Sequence, residues 1–387
     1  ISNGSIYKTK TLVSGLGQLN KPAKPVFDGS DSFKGASFHS AEWDHSCDLK
    51  GKKVGVIGTG PSAVGFIPKI ANEVKELIIF QRTPNWILPK PDRKFSDIEK
   101  WLLKNMPFFG KIYRYYEYLM SERLYFAFFV NKNKTLSAIE RIISNLTTGF
   151  QIKNMSSMYQ LGQKMLLDAQ ISDKSLRDKL MPDYPVGCKR VIPTNDFFPT
   201  LEKKNVFLQT ESITKFNENS VITSDGKENN LDVIIYGTGF ETNIFISPVK
   251  IIGLNNKDLD DVWSNGAEAY KGVMVSEFPN FFMCYGPNTN TGHVSIIFMI
   301  ESQIKFIIKS LKLIKKKNLK HIDVKHKAMS DYNLTIQKKL SSTVWASSCQ
   351  SWYKTSEGKI LNNFPGFGFQ YYLMMSNYKY NDIKMES

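Results

Sequence analysis

A glycine-rich turn between two apolar runs constrains the fold of this chain more than any other stretch. Residues 53–58, KVGVIG, have the composition of a short buried strand. A helical pattern follows from Ser62 to about Val74, and a second apolar run, ELIIFQR, occupies 76–82. A strand, a tight turn, a helix and a second strand form a βαβ unit, which requires a parallel sheet. We therefore predict an α/β fold.

The turn itself matches the pattern of a dinucleotide-binding site, G-x-G-x-x-A. The first glycine permits the tight turn, the second lets a pyrophosphate approach the backbone, and the small sixth residue lets the helix pack closely on the strand. The pattern is weak alone and gains weight from its place between a strand and a helix. We predict that its residues bind a cofactor: Gly58, Thr59, Gly60, Pro61, Ser62 and Ala63.

The end of the second strand favours NADPH over NADH. An NADH site carries an acidic residue about 20 residues beyond the turn, where it binds the ribose 2′-hydroxyl. Here the strand ends in Gln81, Arg82 and Thr83. A carboxylate would repel a 2′-phosphate, whereas Arg82 can pair with it and Thr83 can donate a hydrogen bond to it. The alternative is that Arg82 only caps an exposed strand end.

The middle of the chain changes to helical, aromatic and basic sequence between residues 97 and 177, with expected breaks at Pro107 and Gly110. Packing in a core is the favoured explanation for its aromatic residues, with a pocket wall or a membrane-resting surface as alternatives. Strand-like runs return at 205–210, 220–226, 231–240 and 280–288, and the last of them precedes an amphipathic helix.

The net charge of +15 and a lysine-rich run at 309–320 could attract an anionic membrane surface or nucleic acid. A solvated basic helix face is the favoured explanation, and no basic-aromatic motif indicates a nucleic-acid partner. No apolar run reaches the roughly 18 residues of a membrane span, and no secretory signal is visible. We expect a cytoplasmic protein and leave peripheral membrane contact open. The four cysteines lie far apart, so no metal site is predicted.

A second motif precedes the glycine turn. It consists of Phe33, Gly35, His39, Trp43 and Asp44 in the pattern F-x-G-x-x-x-H-x-x-x-W-D, followed by GKKVGVIGTGPSA and FQRTPNW. This arrangement resembles the fingerprint of the type I Baeyer–Villiger monooxygenases. The resemblance continues through GCKRVIPTNDFFPTLEKKNV, LDVIIYGTGF, FPNFFMCYGPNTNTGH and SCQSWY, and so covers nearly the whole chain. The flavin-containing monooxygenases share the early part of the pattern but lack the tryptophan followed by Pro or Asp.

The resemblance implies a flavoprotein monooxygenase. Members of the family use FAD, NADPH and O2 to insert one oxygen atom beside a ketone carbonyl. The resemblance assigns Lys189 to the NADPH 2′-phosphate together with Arg82 and Thr83, and it assigns Arg190 to the catalytic position. A guanidinium keeps its charge at any working pH, so it can stabilise negative charge on the reacting oxygen atoms without tuning.

Three further groups of residues take their expected roles from the same resemblance. The glycine-ended strand at 231–240 would approach a cofactor through Gly237, Thr238 and Gly239, although glycines also commonly end strands. The turn before the amphipathic helix would bring Asn288, Thr289 and Asn290 near the flavin, with simple N-capping of that helix as the alternative. The fingerprint residues would couple NADPH binding to domain rotation, with His39 acting more as a hinge than as an acid or base.

The resemblance also sets the expected domains. Residues 1–48 would hold a remnant of the FAD domain and the fingerprint linker, 49–238 an NADPH domain with a helical insertion at about 97–180, and 239–387 the C-terminal part of the FAD domain. The glycine-rich βαβ unit that opens a full-length member is missing from this sequence. We therefore expect two Rossmann-like domains, the FAD domain incomplete at its N-terminus, and a chain with little or no activity alone.

Two other functions remain open at this point. One is an N- or S-oxygenating flavin monooxygenase, against which Trp43 and Asp44 argue. The other is a non-catalytic NADPH-binding remnant with a basic surface that docks on a membrane.

Overall fold

The computed structural model of the protein describes residues 4–128, 155–246 and 248–387. They form two compact units. Unit 1 contains the described parts of Ile1–Lys21, Phe95–Lys153 and Thr242–Ser387, and unit 2 contains Pro22–Lys94 and the described part of Asn154–Glu241. Each unit is therefore assembled from separate stretches of the sequence.

The elements are numbered in chain order. The strands are β1 (Leu12–Ser14), β2 (Ala36–His39), β3 (Lys53–Ile57), β4 (Glu76–Phe80), β5 (Ile87–Leu88), β6 (Ile192–Pro193), β7 (Val206–Gln209), β8 (Ile213–Asn217), β9 (Ser220–Thr223), β10 (Glu228–Asn230), β11 (Val233–Tyr236), β12 (Phe281–Met283), β13 (His321–Val324) and β14 (Ile383–Glu386). The helices are α1 (Pro61–Ile70), α2 (Asp97–Asn105), α3 (Pro107–Phe128), α4 (Met155–Gln170), α5 (Lys174–Leu180), α6 (Phe197–Leu201), α7 (Leu259–Val262), α8 (Ile296–Lys316), α9 (His326–Leu340) and α10 (Gly368–Ser376).

Unit 2 is built around a five-stranded parallel sheet in the order β2-β11-β3-β4-β7. Tyr236 at the end of β11 is in register with His39 on one side and Ile57 on the other, and Ile57 is in register with Phe80. The parallel βαβ unit predicted from the glycine turn is confirmed as β3-α1-β4. Because the strands are parallel, their carboxyl ends lie at one edge of the sheet.

Both faces of this sheet are buried, which explains its nearly continuous apolar strands. Val54, Val56 and Ile235 belong to the core that also contains Ala63 and Ile67 of α1. The residues that alternate with these along the same strands belong to the core on the other face of the sheet, together with residues of the antiparallel β10-β9-β8 sheet. The two-residue period of strand side chains produces this division.

Unit 1 contains β1 paired in parallel with β12, the antiparallel pair β13–β14, and the helices α8 and α10 packed on each other. The predicted amphipathic helix is confirmed as α8. Its buried residues recur at helical spacing, and Gln303 on that face donates a 2.9 Å hydrogen bond to the hydroxyl of Tyr371 in α10. No described helix is long and apolar enough to cross a membrane.

One of the two helix breaks expected from the sequence is present. Met106 is extended, as the residue before a proline prefers, and Pro107 begins α3. Gly110 breaks nothing, because α3 runs through it. A glycine costs a helix interior only about 1 kcal/mol, which the rest of this helix offsets.

The aromatic residues of α2 and α3 are packed less than the sequence predicts. The exposed fractions of Trp101, Phe108 and Tyr115 are 59%, 72% and 63%. Phe108, Ile112 and Tyr115 lie on one face of α3, since they are separated by four and three residues. The prediction of core packing is wrong for this stripe, because α2 buries no residue and α3 turns the stripe toward solvent.

The bounds of the two units differ from the domains expected from the sequence at two places. The fingerprint residues 33–44 lie in unit 2, within the segment Pro22–Lys94, and the start of the expected helical insertion, from Phe95, lies in unit 1. The return point at Glu241–Thr242 is close to the expected one.

Candidate cofactor-binding site

The carboxyl edge of the parallel sheet in unit 2 brings together residues that are far apart in the sequence. The turn beginning at Gly58 follows β3, Arg82 follows β4 and Gly237 follows β11, while His39 ends β2. In open α/β sheets, ligands bind outside the carboxyl ends of the strands. The predicted cofactor-binding residues of unit 2 therefore converge at the edge where a dinucleotide would bind.

Close packing at this edge requires very small residues. Gly58 has a φ of +99°, and a Cβ atom there would lie 2.6 Å from the carbonyl oxygen of Gly237. A Cβ atom on Gly237 would lie 2.8 Å from the Cβ of Ala63. These contacts leave no room for larger side chains and let α1 begin directly on the sheet.

The N-terminus of α1 is open. Gly60 is its N-cap residue and provides no side-chain cap, and Pro61 is the first helical residue. A Cβ atom on Gly60 would meet nothing nearer than the Gly237 carbonyl oxygen at 3.7 Å. The N–H groups of Ser62 and Ala63 have no carbonyl one turn earlier in the helix to bind, and such groups attract anions. This cradle fits a pyrophosphate.

A pair of cations lies beyond β4. Arg82 is exposed and Lys189 is half-buried. Burial lowers the pKa of Lys189, and the nearby positive charge of Arg82 lowers that pKa further. Neither side chain forms an ion pair with any residue that the structure describes. The Asp183 charge raises the pKa of Lys189 by less than these two effects lower it. Two cations that repel each other and form no ion pair fit a phosphate dianion, because such a ligand would relieve the repulsion.

Hydrogen bonds join the loop after β4, which carries Arg82, to the loop before β6, which carries Lys189. The hydroxyl of Tyr184 donates to the carbonyl oxygen of Pro84 at 2.9 Å, and the Trp86 indole N–H donates to the carbonyl oxygen of Tyr184 at 3.0 Å. The Lys189 ammonium lies 4.7 Å from the centroid of the Tyr184 ring. Tyr184 and Trp86 are thus supporting residues that sequence reasoning missed, although Trp86 lies within the FQRTPNW motif that carries the resemblance.

Asn85 connects the same loop to the glycine turn. Its side-chain amide donates to the carbonyl oxygen of Thr59 at 2.6 Å and to the Thr59 hydroxyl at 3.2 Å. Thr83 is half-buried two residues earlier. Arg190 is exposed and follows Lys189 directly, just before β6. The structure therefore places Arg190 beside the cation pair, and its catalytic role stays a prediction.

Packing accounts for several fingerprint residues. A Cβ atom on Gly35 would overlap the carbonyl oxygen of Asp232 and the ring of Phe33. Phe33 packs edge-on against Phe216 at 6.4 Å between ring centroids, and Trp43 packs against Phe66 of α1 at 5.2 Å. These residues fix β2 and α1 in the core of unit 2.

Asp44 and His39 complete the fingerprint. The hydroxyl and backbone N–H of Ser46 donate to the Asp44 carboxylate at 2.6 and 2.9 Å and lower its pKa. His39 is 2% exposed, and its Nδ1 accepts from the backbone N–H of Ala41 at 3.1 Å. Burial lowers the pKa of His39, so the imidazole is neutral near pH 7. The predicted coupling role stays a prediction.

The glycine-ended strand joins the segment before β2. The hydroxyl of Thr238 donates a hydrogen bond to the carbonyl oxygen of Ala23, and the N–H of Ala23 donates to the carbonyl oxygen of Gly239 at 2.9 Å. Gly239 has a φ of +80°, and no atom lies within 4 Å of the point that a Cβ atom would occupy, so its surroundings are open. The backbone there is free to approach a ligand.

Asn288, Thr289 and Asn290, which the resemblance assigns to the neighbourhood of the flavin, are buried in unit 1 and form hydrogen bonds within it. The amide of Asn288 donates to the carbonyl oxygens of Ile360 and Asn363 at 2.9 and 3.0 Å. Asn290 donates to the side-chain oxygen of Asn363 at 2.7 Å, and Thr289 donates to the carbonyl oxygen of Gly286 at 2.7 Å. They therefore pin the loop to a neighbouring segment.

N-capping of α8 by these residues is excluded. The N-cap position is Ser295, whose side chain makes no capping hydrogen bond, and residues 288–290 lie well before it. Proximity of Asn288, Thr289 and Asn290 to a flavin stays a prediction. Trp345 and Tyr353 are both buried, with their ring centroids 6.1 Å apart.

A buried carboxylate that sequence reasoning missed holds this loop and α10. Glu122 of α3 accepts hydrogen bonds from the backbone N–H groups of Gly368 and Phe369 at 3.2 and 2.9 Å and from the hydroxyl of Tyr118. His293 Nε2 lies 3.3 Å from the same carboxylate, and burial lowers the pKa of His293. The carboxylate stabilises the positive N-terminal end of α10.

The other end of α10 is held by a buried ammonium. Lys271 donates to the carbonyl oxygens of Met374 and Asn377 at 2.8 and 2.9 Å. Burial lowers the pKa of Lys271 to about 8. A cation at the C-terminal end complements the helix dipole as Glu122 does at the N-terminal end.

Replacing Glu122 with alanine should lower the free energy of unfolding by about 2 kcal/mol, because it strips partners from the buried N–H of Gly368, the half-buried N–H of Phe369 and the half-buried phenol of Tyr118. Chemical denaturation of the whole chain measures this loss. Glu117→Ala, an exposed change on the same helix, should stay within about 0.5 kcal/mol of the parent. Equal losses in the two variants would show that the buried hydrogen bonds carry no special stability.

The described residues contain no group of three or more His, Cys, Asp or Glu side chains that could hold a metal ion. The site is instead a glycine cradle at a helix N-terminus flanked by cations, on a doubly covered parallel sheet. Fold and site together define an α/β dinucleotide-binding protein.

Comparison with known proteins narrows this class. A family model described as flavin-binding monooxygenase-like matches residues 3–103. A Baeyer–Villiger monooxygenase of Pseudomonas aeruginosa is 38% identical over 372 residues, which covers 96% of this chain and 67% of the relative. A Baeyer–Villiger monooxygenase of Streptomyces coelicolor is 34% identical over 359 residues, which covers 92% and 65%. The chain belongs to the Baeyer–Villiger monooxygenase family.

An FAD-binding monooxygenase of Aspergillus niger is 35% identical and covered over 59% of its length, so the chain spans 59% to 67% of these three relatives. Among solved structures, an OTEMO complex with FAD and NADP has a TM-score of 0.80 at 27% identity, over 99% of this chain and 76% of that one. A closed cyclohexanone monooxygenase structure, at 22% identity and a TM-score of 0.82, shares the fold over 100% of this chain and 76% of that one.

Proposed function

We propose that this chain forms the NADPH-binding unit and part of the FAD-binding unit of a Baeyer–Villiger monooxygenase. Such an enzyme uses NADPH and O2 to insert one oxygen atom beside a ketone carbonyl. The observation that carries the proposal is the cation pair of Arg82 and Lys189 at the end of β4, in a chain of this family. Where an NADH enzyme would place a carboxylate, this site presents two positive charges that form no ion pair with the described residues.

The residues of unit 2 would divide NADPH between them. The backbone of Gly60, Ser62 and Ala63 would bind the pyrophosphate, because the helix N-terminus is open there. Arg82 and Lys189 would bind the 2′-phosphate, with Thr83 donating a hydrogen bond. The complex of OTEMO with FAD and NADP, similar over 99% of this chain, supports this assignment.

FAD would be held in part by unit 1. Gln18 is 1% exposed, and neither polar atom of its side-chain amide has a hydrogen-bond partner among the described residues. The side-chain oxygen of Asn288 is also buried and has no hydrogen-bond partner among the described residues. Because orphaned buried polar atoms are costly, they fit a polar ligand that satisfies them. Bound FAD supplies the redox chemistry that activates O2 with hydride from NADPH.

Arg190 would stabilise the reacting oxygen atoms. Its guanidinium is charged at every working pH, and negative charge develops on the substrate carbonyl oxygen as the new bond forms. It needs no proton transfer to act. Lys189, the preceding residue, would bind NADPH, while the Arg190 guanidinium would interact with the reacting oxygen atoms.

Grafting tests this function. A chimera in which these 387 residues replace the matching region of the Pseudomonas aeruginosa relative should oxidise NADPH in a ketone-dependent manner and form a lactone from a cyclic ketone. Arg190→Ala in the chimera should lower lactone formation about 100-fold, because a preorganised charge is lost, and should leave NADP⁺ affinity unchanged.

Two results would contradict the proposal. Sulfoxide from a thioether without lactone from the ketone would assign the chain to the N- or S-oxygenating enzymes. NADP⁺ binding with no oxygenated product from either substrate would favour a non-catalytic nucleotide-binding protein.

A further inference from the structure

Lys24 is fixed at the carboxyl edge of the sheet by backbone contacts. Pro22 forms a bridge with Phe240, and the N–H of Ala23 donates to the carbonyl oxygen of Gly239 at 2.9 Å. The Thr238 hydroxyl donates to the carbonyl oxygen of Ala23. The segment that carries Lys24 thus runs beside the glycine-ended turn after β11.

The ammonium group of Lys24 is held without being neutralised. Its Nζ lies 4.8 Å from the centroid of the Tyr236 ring, at the end of β11. Lys24 forms no ion pair with any residue in the described parts of the chain. The pKa of His39 is lowered mainly by burial and slightly by the charge of Lys24, and it is raised by the charge of Glu42. The Lys24 ammonium therefore lies close enough to act on the residue that ends β2.

The strand order determines which part of a dinucleotide would meet this charge. Arg82 and Lys189 lie beyond β4, on one side of the cradle that follows β3. Lys24 lies over β11, on the opposite side of β3. A cofactor with its 2′-phosphate at Arg82 and its pyrophosphate at the start of α1 extends toward β11 if it continues along the edge in the same direction.

We propose that Lys24 is a further NADPH-binding residue, whose ammonium pairs with the phosphate on the nicotinamide side of the pyrophosphate. The inference rests on the proposed function, because it assumes NADPH at this edge. It adds a third cation to the site, from a segment outside the glycine turn and the loops that hold the 2′-phosphate.

Two ligands distinguish binding of the adenosine half of the cofactor from binding of its nicotinamide half. Adenosine 2′,5′-bisphosphate carries the 2′-phosphate and the adenosine-side phosphate but lacks the nicotinamide side, whereas NADP⁺ carries all of them. Lys24→Gln in the whole chain should weaken NADP⁺ binding about threefold to tenfold, by calorimetry at low salt. It should change the affinity for the bisphosphate less than about twofold, and Lys24→Arg should restore NADP⁺ binding.

Matched variants decide the outcome. Lys75→Gln removes an exposed lysine at the amino end of β4, the opposite edge, and should leave both affinities unchanged. Arg82→Gln should weaken both ligands. The Lys24 proposal is overturned if Lys24→Gln weakens both ligands equally or neither, while Arg82→Gln still weakens both. If the parent chain binds neither ligand, the proposed function fails and the Lys24 proposal fails with it.

Discussion

Gly58→Ala is expected to lower the free energy of unfolding by about 3 kcal/mol and to weaken NADP⁺ binding about 100-fold. At a φ of +99° an alanine is strained whatever the space around it. Its Cβ atom would also lie 2.6 Å from the carbonyl oxygen of Gly237, a backbone atom in a sheet-edge turn that cannot move cheaply. The turn must open, and the cradle at the start of α1 opens with it.

Urea denaturation and calorimetric titration with NADP⁺ measure the two effects. Gly65→Ala is the matched control, because Gly65 lies in α1 with nothing within 4 Å of its Cβ position. That change should stabilise the helix by up to about 1 kcal/mol and leave cofactor affinity unaltered. Parent-like stability and affinity in Gly58→Ala would contradict the steric argument and show that the turn accommodates a Cβ atom at this position.

Replacing both Arg82 and Lys189 with glutamine is expected to weaken NADP⁺ binding about 100-fold to 1,000-fold and NAD⁺ binding less than about threefold. Only NADP⁺ has the 2′-phosphate that these charges would meet. Because two cations share one dianion, the effects of the single variants should not add up to that of the double variant. The loss should shrink as salt is raised, since exposed charges are screened.

Titrations with both nucleotides at two salt concentrations test this selectivity. Lys75→Gln again serves as a control that removes one exposed positive charge at the opposite edge. A parallel loss of NADP⁺ and NAD⁺ affinity in the double variant would show that the two cations maintain the fold of the loops and do not recognise the 2′-phosphate.

The parts of the fold predictable from the sequence are those that local patterns encode. The β3-α1-β4 unit and the helix α8 follow from apolar periodicity and glycine placement within short windows. The convergence of Gly58, Arg82 and Gly237 follows from the rule that parallel strands share a carboxyl edge. Local chemistry and a topological rule were sufficient there.

Contacts between distant segments are a different matter. Glu122 lies in a helix whose sequence indicates only aromatic packing, yet it accepts hydrogen bonds from the start of α10, far along the chain. Lys24 sits in a proline-punctuated loop with no motif, and its position depends on backbone bonds to Thr238 and Gly239. No periodicity or spacing encodes such pairings, because they arise only when tertiary structure forms.

The strand order of unit 2 also bears on how the chain must be made. β11 lies between β2 and β3, although both are synthesised long before it. Until β11 leaves the ribosome, β2 has no strand partner in this sheet and β3 has an unpaired edge rich in valine. Such edges can pair with other chains. In a nascent chain that pauses before Val233, β2 is therefore unpaired and prone to aggregation. Pairing with β11 removes this risk.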